Sequence, residues 1–74
     1  MLVSAPLAPI GLEREIATIE RVLAERGPTG RNELALAVGA RFWGPGRFAA
    51  ALHGAVRSGK ARRVSRTRYG PAGG

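Results

Sequence analysis

The sequence predicts a mainly α-helical domain that ends in a small β-hairpin, and three observations support this fold class. Apolar residues recur at helical spacing over the first two thirds of the chain. Glycine and proline divide that part into three segments, each long enough for a helix. After Gly59 the pattern changes toward the two-residue period of strands. The predicted order is therefore three helices followed by two strands.

The chain of 74 residues is long enough for one small domain with a single modest core. Residues 1–10 contain two prolines and are predicted to be an extended N-terminal arm. The domain is predicted over residues 11–72, and residues 73–74 are predicted to be a disordered tail. No apolar run approaches the about 18 residues of a membrane-spanning helix, and the start of the chain lacks the features of a signal peptide. We therefore expect a cytoplasmic protein without a membrane partner.

The first two helices are separated by the Gly-Pro pair at residues 27–28, which stops the first helix. The second helix is predicted over RNELALAVG (31–39) and ends at the glycine of that segment. Thr29 and Gly30 both suit the N-cap of this helix, and the sequence does not choose between them. The apolar stripe of the first helix consists of Leu12, Ile16, Ile19, Val22 and Leu23.

The third helix is predicted between Pro45, a favoured first helical residue, and Gly59, a favoured stop. Its buried face is centred on Leu52 and includes Ala49. The outer face then consists of two small residues between two arginines: Arg47, Ala50, Gly54 and Arg57. Such a smooth face can approach a duplex closely, or it can pack against another helix or a second subunit, and both interpretations stay open.

The last part of the domain is predicted to be a short hairpin. Its strands are residues 61–64 and 67–69, with Ser65 and Arg66 at the turn. The turn lacks an Asn-Gly or Asp-Gly pair, so the sequence does not fix the register of the strands. Tyr69 is predicted to pack the second strand on the core.

Charge is distributed very unevenly along the chain. Residues 1–33 hold all five acidic residues and four basic ones, which gives a net charge of −1. Residues 34–74 hold eight basic residues and no acidic one, which gives +8. A charge split of this kind creates a one-sided positive field that attracts polyanions.

This order of elements resembles the winged helix-turn-helix family, in which three helices are followed by a two-stranded wing. The resemblance covers about residues 11–72. Three segments carry it and resemble the positioning helix, the recognition helix and the wing: ELALAVG (33–39), GRFAAALHGAVRSG (46–59) and GKARRVSRTRYGPA (59–72). In the last segment, Ala61, the basic turn at Arg66 and the closing aromatic residue Tyr69 follow the layout of many such wings.

The resemblance implies that the chain binds double-stranded DNA, with the third helix in the major groove and the wing on the backbone or the adjacent minor groove. The residues implied to contact nucleic acid are Arg41, Arg47, His53, Arg57, Ser58, Lys60, Arg62, Arg63, Arg66 and Arg68. The third helix has small outward residues and no Asn or Gln, so we expect mainly phosphate contacts and weak sequence specificity. That pattern is typical of a nucleoid-associated protein or an accessory transcription factor. A regulator that gains specificity as a homodimer stays open.

The composition argues against an enzyme and against a metal site. The chain has no Asp, no Cys and a single His, so no nucleophile and base pair and no cluster of metal ligands can be assembled from it. We expect no cofactor and no small-molecule substrate. Two alternatives to DNA binding remain, because they use the same basic residues: a winged-helix module that docks on an acidic protein, and an RNA-binding protein.

Overall fold

The structure is a computed structural model that describes residues 10–72. Within these residues the chain forms three α-helices, one short 3-10 helix and a three-stranded antiparallel sheet. The elements are α1 (Ile10–Arg26), β1 (Thr29–Gly30), α2 (Arg31–Val38), the 3-10 helix (Ala40–Phe42), α3 (Arg47–Arg57), β2 (Ala61–Arg63) and β3 (Arg68–Pro71). The predicted arm, apart from Ile10, and the predicted tail at residues 73–74 lie outside the described residues. Ile10 itself belongs to α1 rather than to an extended arm.

Glycines end α1 and α2 as the sequence predicted. Gly27 follows α1 with a positive φ of 77°. Gly39 is the C-cap of α2, and its amide donates to the carbonyl oxygens of two residues in the last turn. Of the two candidate N-caps of α2, Gly30 takes the position. The Thr29 hydroxyl instead donates to the Gly27 carbonyl oxygen, 2.8 Å away.

The third helix differs from its prediction in its start and in its buried face. It begins at Arg47 rather than Pro45, because Gly46 adopts the left-handed conformation and serves as the N-cap. The buried residues of α3 are Phe48, Ala51, Leu52 and Ala55. The prediction that Ala49 is buried is therefore wrong, since its side chain is exposed.

The prediction that Gly54 lies on an open outer face is also wrong, because α1 packs there. A Cβ built on Gly54 would lie only 2.9 Å from Cδ1 of Ile16 on α1. The absent side chain lets the two helices approach closely. The alternative in which this small residue packs against another helix is therefore the correct one for Gly54.

The core lies between the three helices and the first residue of β2. Ile19, Leu23 and Leu34 are its largest fully buried side chains. The helical part of the core is completed by Val22, Phe48, Ala51, Leu52 and Ala55. Ala61 is buried at the start of β2 and Tyr69 of β3 packs against the core, so both strands attach the sheet to it.

The predicted hairpin is confirmed, but it belongs to a sheet with a third strand. The strand order is β1-β3-β2, which puts β3 at the centre. Tyr69 pairs with Thr29 of β1 on one side and with Arg63 of β2 on the other. β1 consists of only two residues, Thr29 and Gly30, and directly precedes α2. The sequence therefore identified these residues only as candidate N-caps of α2 and not as a strand. No helix within residues 10–72 is both long and apolar enough to cross a membrane.

Candidate nucleic-acid interface

A cleft between α3 and the sheet brings three basic side chains together. They come from three elements: Arg31 from the start of α2, His53 from α3 and Arg63 from β2. The cleft has a volume of about 220 Å³. Its remaining lining is apolar or aromatic, and no acidic residue of the described chain contributes to it. We call this site the basic cleft; its chemistry suits an anion rather than a cation.

The strand register places Arg63 in the basic cleft. Residues directly opposite each other in an antiparallel pair share one face of the sheet, so Arg63 and Tyr69 point to the same side. Ala61 lies two residues before Arg63, therefore on the same face, and it is buried. Arg63 thus extends from the core-facing side of β2 beyond the edge of the core.

Two backbone carbonyl groups of the turn fix the Arg63 side chain. Its Nε donates to the carbonyl oxygen of Ser65 at 3.3 Å, and its Nη2 donates to that of Arg66 at 3.0 Å. A guanidinium has five N–H donors, so three remain for a ligand. Arg63 is therefore a positioned cation, and no acidic side chain within residues 10–72 binds it.

Arg31 contributes to the basic cleft although the sequence analysis did not select it. Its guanidinium carbon lies 5.3 Å from the centroid of the Phe48 ring, a cation–π distance. The backbone amide of Arg31 also donates to the Thr67 carbonyl oxygen at 2.8 Å, which ties the start of α2 to the hairpin. A sequence signal existed: Arg31 is the first residue of α2, where the helix dipole disfavours a cation.

The other hairpin arginines do not share one face with Arg63. Side chains alternate along a strand, so Arg62 and Arg68 lie on the side of the sheet away from Tyr69. Arg68 donates from Nη2 to the Pro28 carbonyl oxygen at 2.9 Å. Arg66 lies in the segment between β2 and β3 and is exposed. The hairpin arginines that were predicted to contact DNA therefore lie on both faces of the sheet and, at Arg66, between its strands.

The exposed side of α3 carries His53 and Arg57 beside two small residues. Ala49 and Ala50 are exposed, as are both larger side chains. Ser58 follows the helix, and its hydroxyl donates to the Gly54 carbonyl oxygen at 2.8 Å. The Ser58 hydroxyl thus serves a carbonyl group in the last turn of its own helix. The Arg57 side chain is exposed at the surface.

Arg47, Lys60 and Arg41 also lie outside the basic cleft. The Arg47 guanidinium binds the Glu15 carboxylate on α1, with Nη2 and Oε1 3.0 Å apart, so Arg47 does not lie on an open outer face as predicted. Lys60 lines a groove along α1 together with Glu13 and Glu20. Arg41 lies in the 3-10 helix, 4.9 Å above the Phe42 ring.

The described residues contain no group of three or more His, Cys, Asp or Glu side chains that could hold a metal ion. Comparisons with protein-family models, with curated proteins and with solved structures found no match for this chain.

Proposed function

We propose that the chain is a winged-helix protein that binds double-stranded DNA, chiefly through contacts to phosphates. The basic cleft is the observation that carries this proposal, because Arg31, His53 and Arg63 converge there and its lining includes no acidic residue of the part of the chain that the structure describes. The planar guanidinium of arginine suits the oxygens of a phosphate. The proposed surface, which we call the basic face, consists of the basic cleft, the exposed side of α3 with Ala49, Ala50 and Arg57, and Arg66 between the strands.

The shape of the basic face supports the winged-helix assignment. In the proposed complex α3 enters the major groove, because its exposed side carries Ala49 and Ala50 and can come close to the bases. The β2–β3 hairpin then follows the backbone beside the groove. The backbone hydrogen bond from the Arg31 amide to the Thr67 carbonyl oxygen joins α2 to this hairpin. The distance between Arg31 and the arginines of the hairpin is therefore fixed.

Weak sequence specificity is the expected consequence. Base edges are read best by Arg, Lys, Asn or Gln side chains in the groove. Arg47 is engaged with Glu15, so the exposed side of α3 offers only His53 and Arg57 for such contacts. Phosphate contacts supply affinity without sequence information. We therefore favour a nucleoid-associated or accessory role over that of a site-specific regulator.

Fluorescence anisotropy with a labelled random-sequence duplex tests the proposal. We expect Arg31→Ala and Arg63→Ala each to weaken binding about tenfold, since each removes a charge-assisted hydrogen bond to a phosphate. Arg21→Ala is the matched control, because it removes the same charge from an exposed position on α1. We expect this control to bind within about twofold of the unchanged protein.

The same titration separates the alternatives. Equal losses of duplex affinity for Arg21→Ala and Arg63→Ala would contradict the proposal that the basic face binds DNA, because net charge alone would then explain binding. Tighter binding to double-stranded RNA than to duplex DNA would favour the RNA-binding alternative. A chain that binds neither duplex at low salt is not a duplex-binding protein, and the proposal would be abandoned.

A further inference from the structure

The two arginines of the basic cleft are held in place in different ways. Two backbone carbonyl groups of the hairpin accept hydrogen bonds from Arg63, and these bonds engage two of the five N–H donors of its guanidinium. None of the side-chain hydrogen bonds or ion pairs within residues 10–72 involves the Arg31 side chain. Arg31 instead lies over the Phe48 ring, with 5.3 Å between the guanidinium carbon and the ring centroid.

The Phe48 ring is a fixed support for this contact. Phe48 is 9% exposed and belongs to the hydrophobic core. The Trp43 ring lies beside it, with 6.2 Å between the two ring centroids and a tilt of 43° between the ring planes. Because side chains of a packed core have little freedom to move, the ring determines where the Arg31 guanidinium lies.

Glu33 is the acidic residue that lies nearest to Arg31 along the chain. The two residues line a separate depression together with Thr67. Within the described chain no ion pair joins them, and residues two positions apart in a helix do not face each other. The charge of Arg31 is therefore not neutralised by a bound carboxylate of the described residues.

We propose that Phe48 is a positioning residue of the basic cleft, whose ring holds the Arg31 guanidinium in place for a DNA phosphate. This inference rests on the proposed function. The ring contacts the flat face of the guanidinium, so all five N–H donors at its edge stay available to phosphate oxygens. Because a free arginine loses rotamer freedom when it binds a ligand, a guanidinium that is already held binds more tightly.

Fluorinated phenylalanines at position 48 test the contact, because fluorine withdraws negative charge from the ring face and changes the shape of the side chain little. The full chain of 74 residues is synthesised with monofluoro-, trifluoro- or pentafluorophenylalanine in place of Phe48. We expect the affinity for a random-sequence duplex to fall stepwise along the series, to about threefold to fivefold weaker for the pentafluoro ring. This loss is smaller than that of Arg31→Ala, which removes the charge itself.

Phe42 provides the matched control for this series. The Arg41 guanidinium carbon lies 4.9 Å from the centroid of the Phe42 ring, and neither residue lines the basic cleft. We therefore expect the chain with pentafluorophenylalanine in place of Phe42 to bind the duplex within about twofold of the unchanged chain. Circular dichroism and urea unfolding establish that each variant is folded under the binding conditions.

A second control separates positioning from a structural effect. In the Arg31→Ala background no guanidinium remains above the ring, so fluorination at position 48 should leave duplex affinity unchanged. NMR of the free chain adds a readout that does not depend on DNA. We expect the side-chain protons of Arg31 to resonate upfield of those of a free arginine, because they lie over an aromatic ring, and Phe48→Leu should abolish this shift.

Three outcomes would each overturn the role of Phe48 while duplex binding itself persists. They are an unchanged affinity along the Phe48 series, an equal loss in the Arg31→Ala background, and Arg31 protons at the positions of a free arginine. A chain that binds no duplex at low salt would instead overturn the proposed function, and the role of Phe48 with it.

Discussion

The guanidinium of Arg47 binds the carboxylate of Glu15 across the contact between α3 and α1. Its Nε lies 3.1 Å from both carboxylate oxygens, and Nη2 lies 3.0 Å from Oε1. The Glu15 side chain is only 12% exposed, so water alone would solvate this carboxylate poorly. The pair thus joins the second turn of α1 to the first residue of α3.

We expect Arg47→Ala to lower the free energy of unfolding by about 1 kcal/mol, a value reduced for the 36% exposure of the Arg47 side chain. Urea denaturation followed by circular dichroism measures this change. A double-mutant cycle with Glu15→Ala should show a coupling of similar size. If the losses of unfolding free energy in the two single variants simply add in the double variant, the contact between Arg47 and Glu15 contributes nothing to stability. Duplex affinity should fall no more than in Arg21→Ala, because the bound carboxylate already neutralises Arg47.

Part of the candidate site was predicted from basic residue type and from the family resemblance. His53 and Arg63 were selected from the sequence and lie together in the basic cleft. Arg47 and Lys60 were selected for the same reason, yet acidic residues of α1 lie beside them. Those partners are distant in sequence, and only the packing of α1 on α3 brings them close. Arg31 was missed because its part of the chain has a balanced charge.

At the scale of elements, the approach of α1 to α3 depends on the absence of a side chain at Gly54. Glycine in a helix costs about 0.5–1 kcal/mol relative to alanine. A methyl group at this position would overlap the end of the Ile16 side chain, because the two carbons would be 2.9 Å apart. The helix contact and the helix propensity therefore favour different residues at position 54.

We expect Gly54→Ala to change the free energy of unfolding by less than about 0.5 kcal/mol, since the gain in propensity offsets the overlap. Ile16→Val removes the overlapping methyl group and should cost about 1 kcal/mol alone. Added to Ile16→Val, Gly54→Ala should stabilise by about 0.5–1 kcal/mol, because its methyl group then fills the gap. Thermal and urea unfolding measure all three variants. An alanine that destabilises both backgrounds equally would contradict this account of the contact.

The helices were more predictable than the sheet for a physical reason. Glycine stops and apolar periodicity are local, and they located α1, α2 and the end of α3. The two-residue strand β1 exists only because β3 lies beside it, with Thr29 opposite Tyr69. The phase of the α3 buried face likewise depends on Ile16 of α1. The sequence of β1 does not identify β3 as its partner, and the sequence of α3 does not identify Ile16 as its contact.

At the scale of the whole molecule, packing separates two kinds of positive charge. Arg47 and Lys60 lie beside glutamates of α1. The basic cleft has no acidic lining within the described chain, and Arg57 and Arg66 are exposed beside it. Part of the net charge of +7 therefore lies, without a bound carboxylate in the described chain, at the basic cleft and beside it. Charge in this position favours a polyanion that lies across the α3 side chains and the hairpin together.

The salt dependence of duplex binding measures how many charges take part. If about five side chains of the basic face contact phosphates, the plot of log K against log salt has a slope of about −4 to −5, because each contact releases counterions. Arg31→Ala and Arg63→Ala should each make the slope less steep by about 1, and Arg21→Ala should leave it unchanged. A slope near zero would contradict phosphate-dominated binding. A preference above about 10³-fold for one sequence over random duplex would contradict the weak specificity that the small α3 side chains imply.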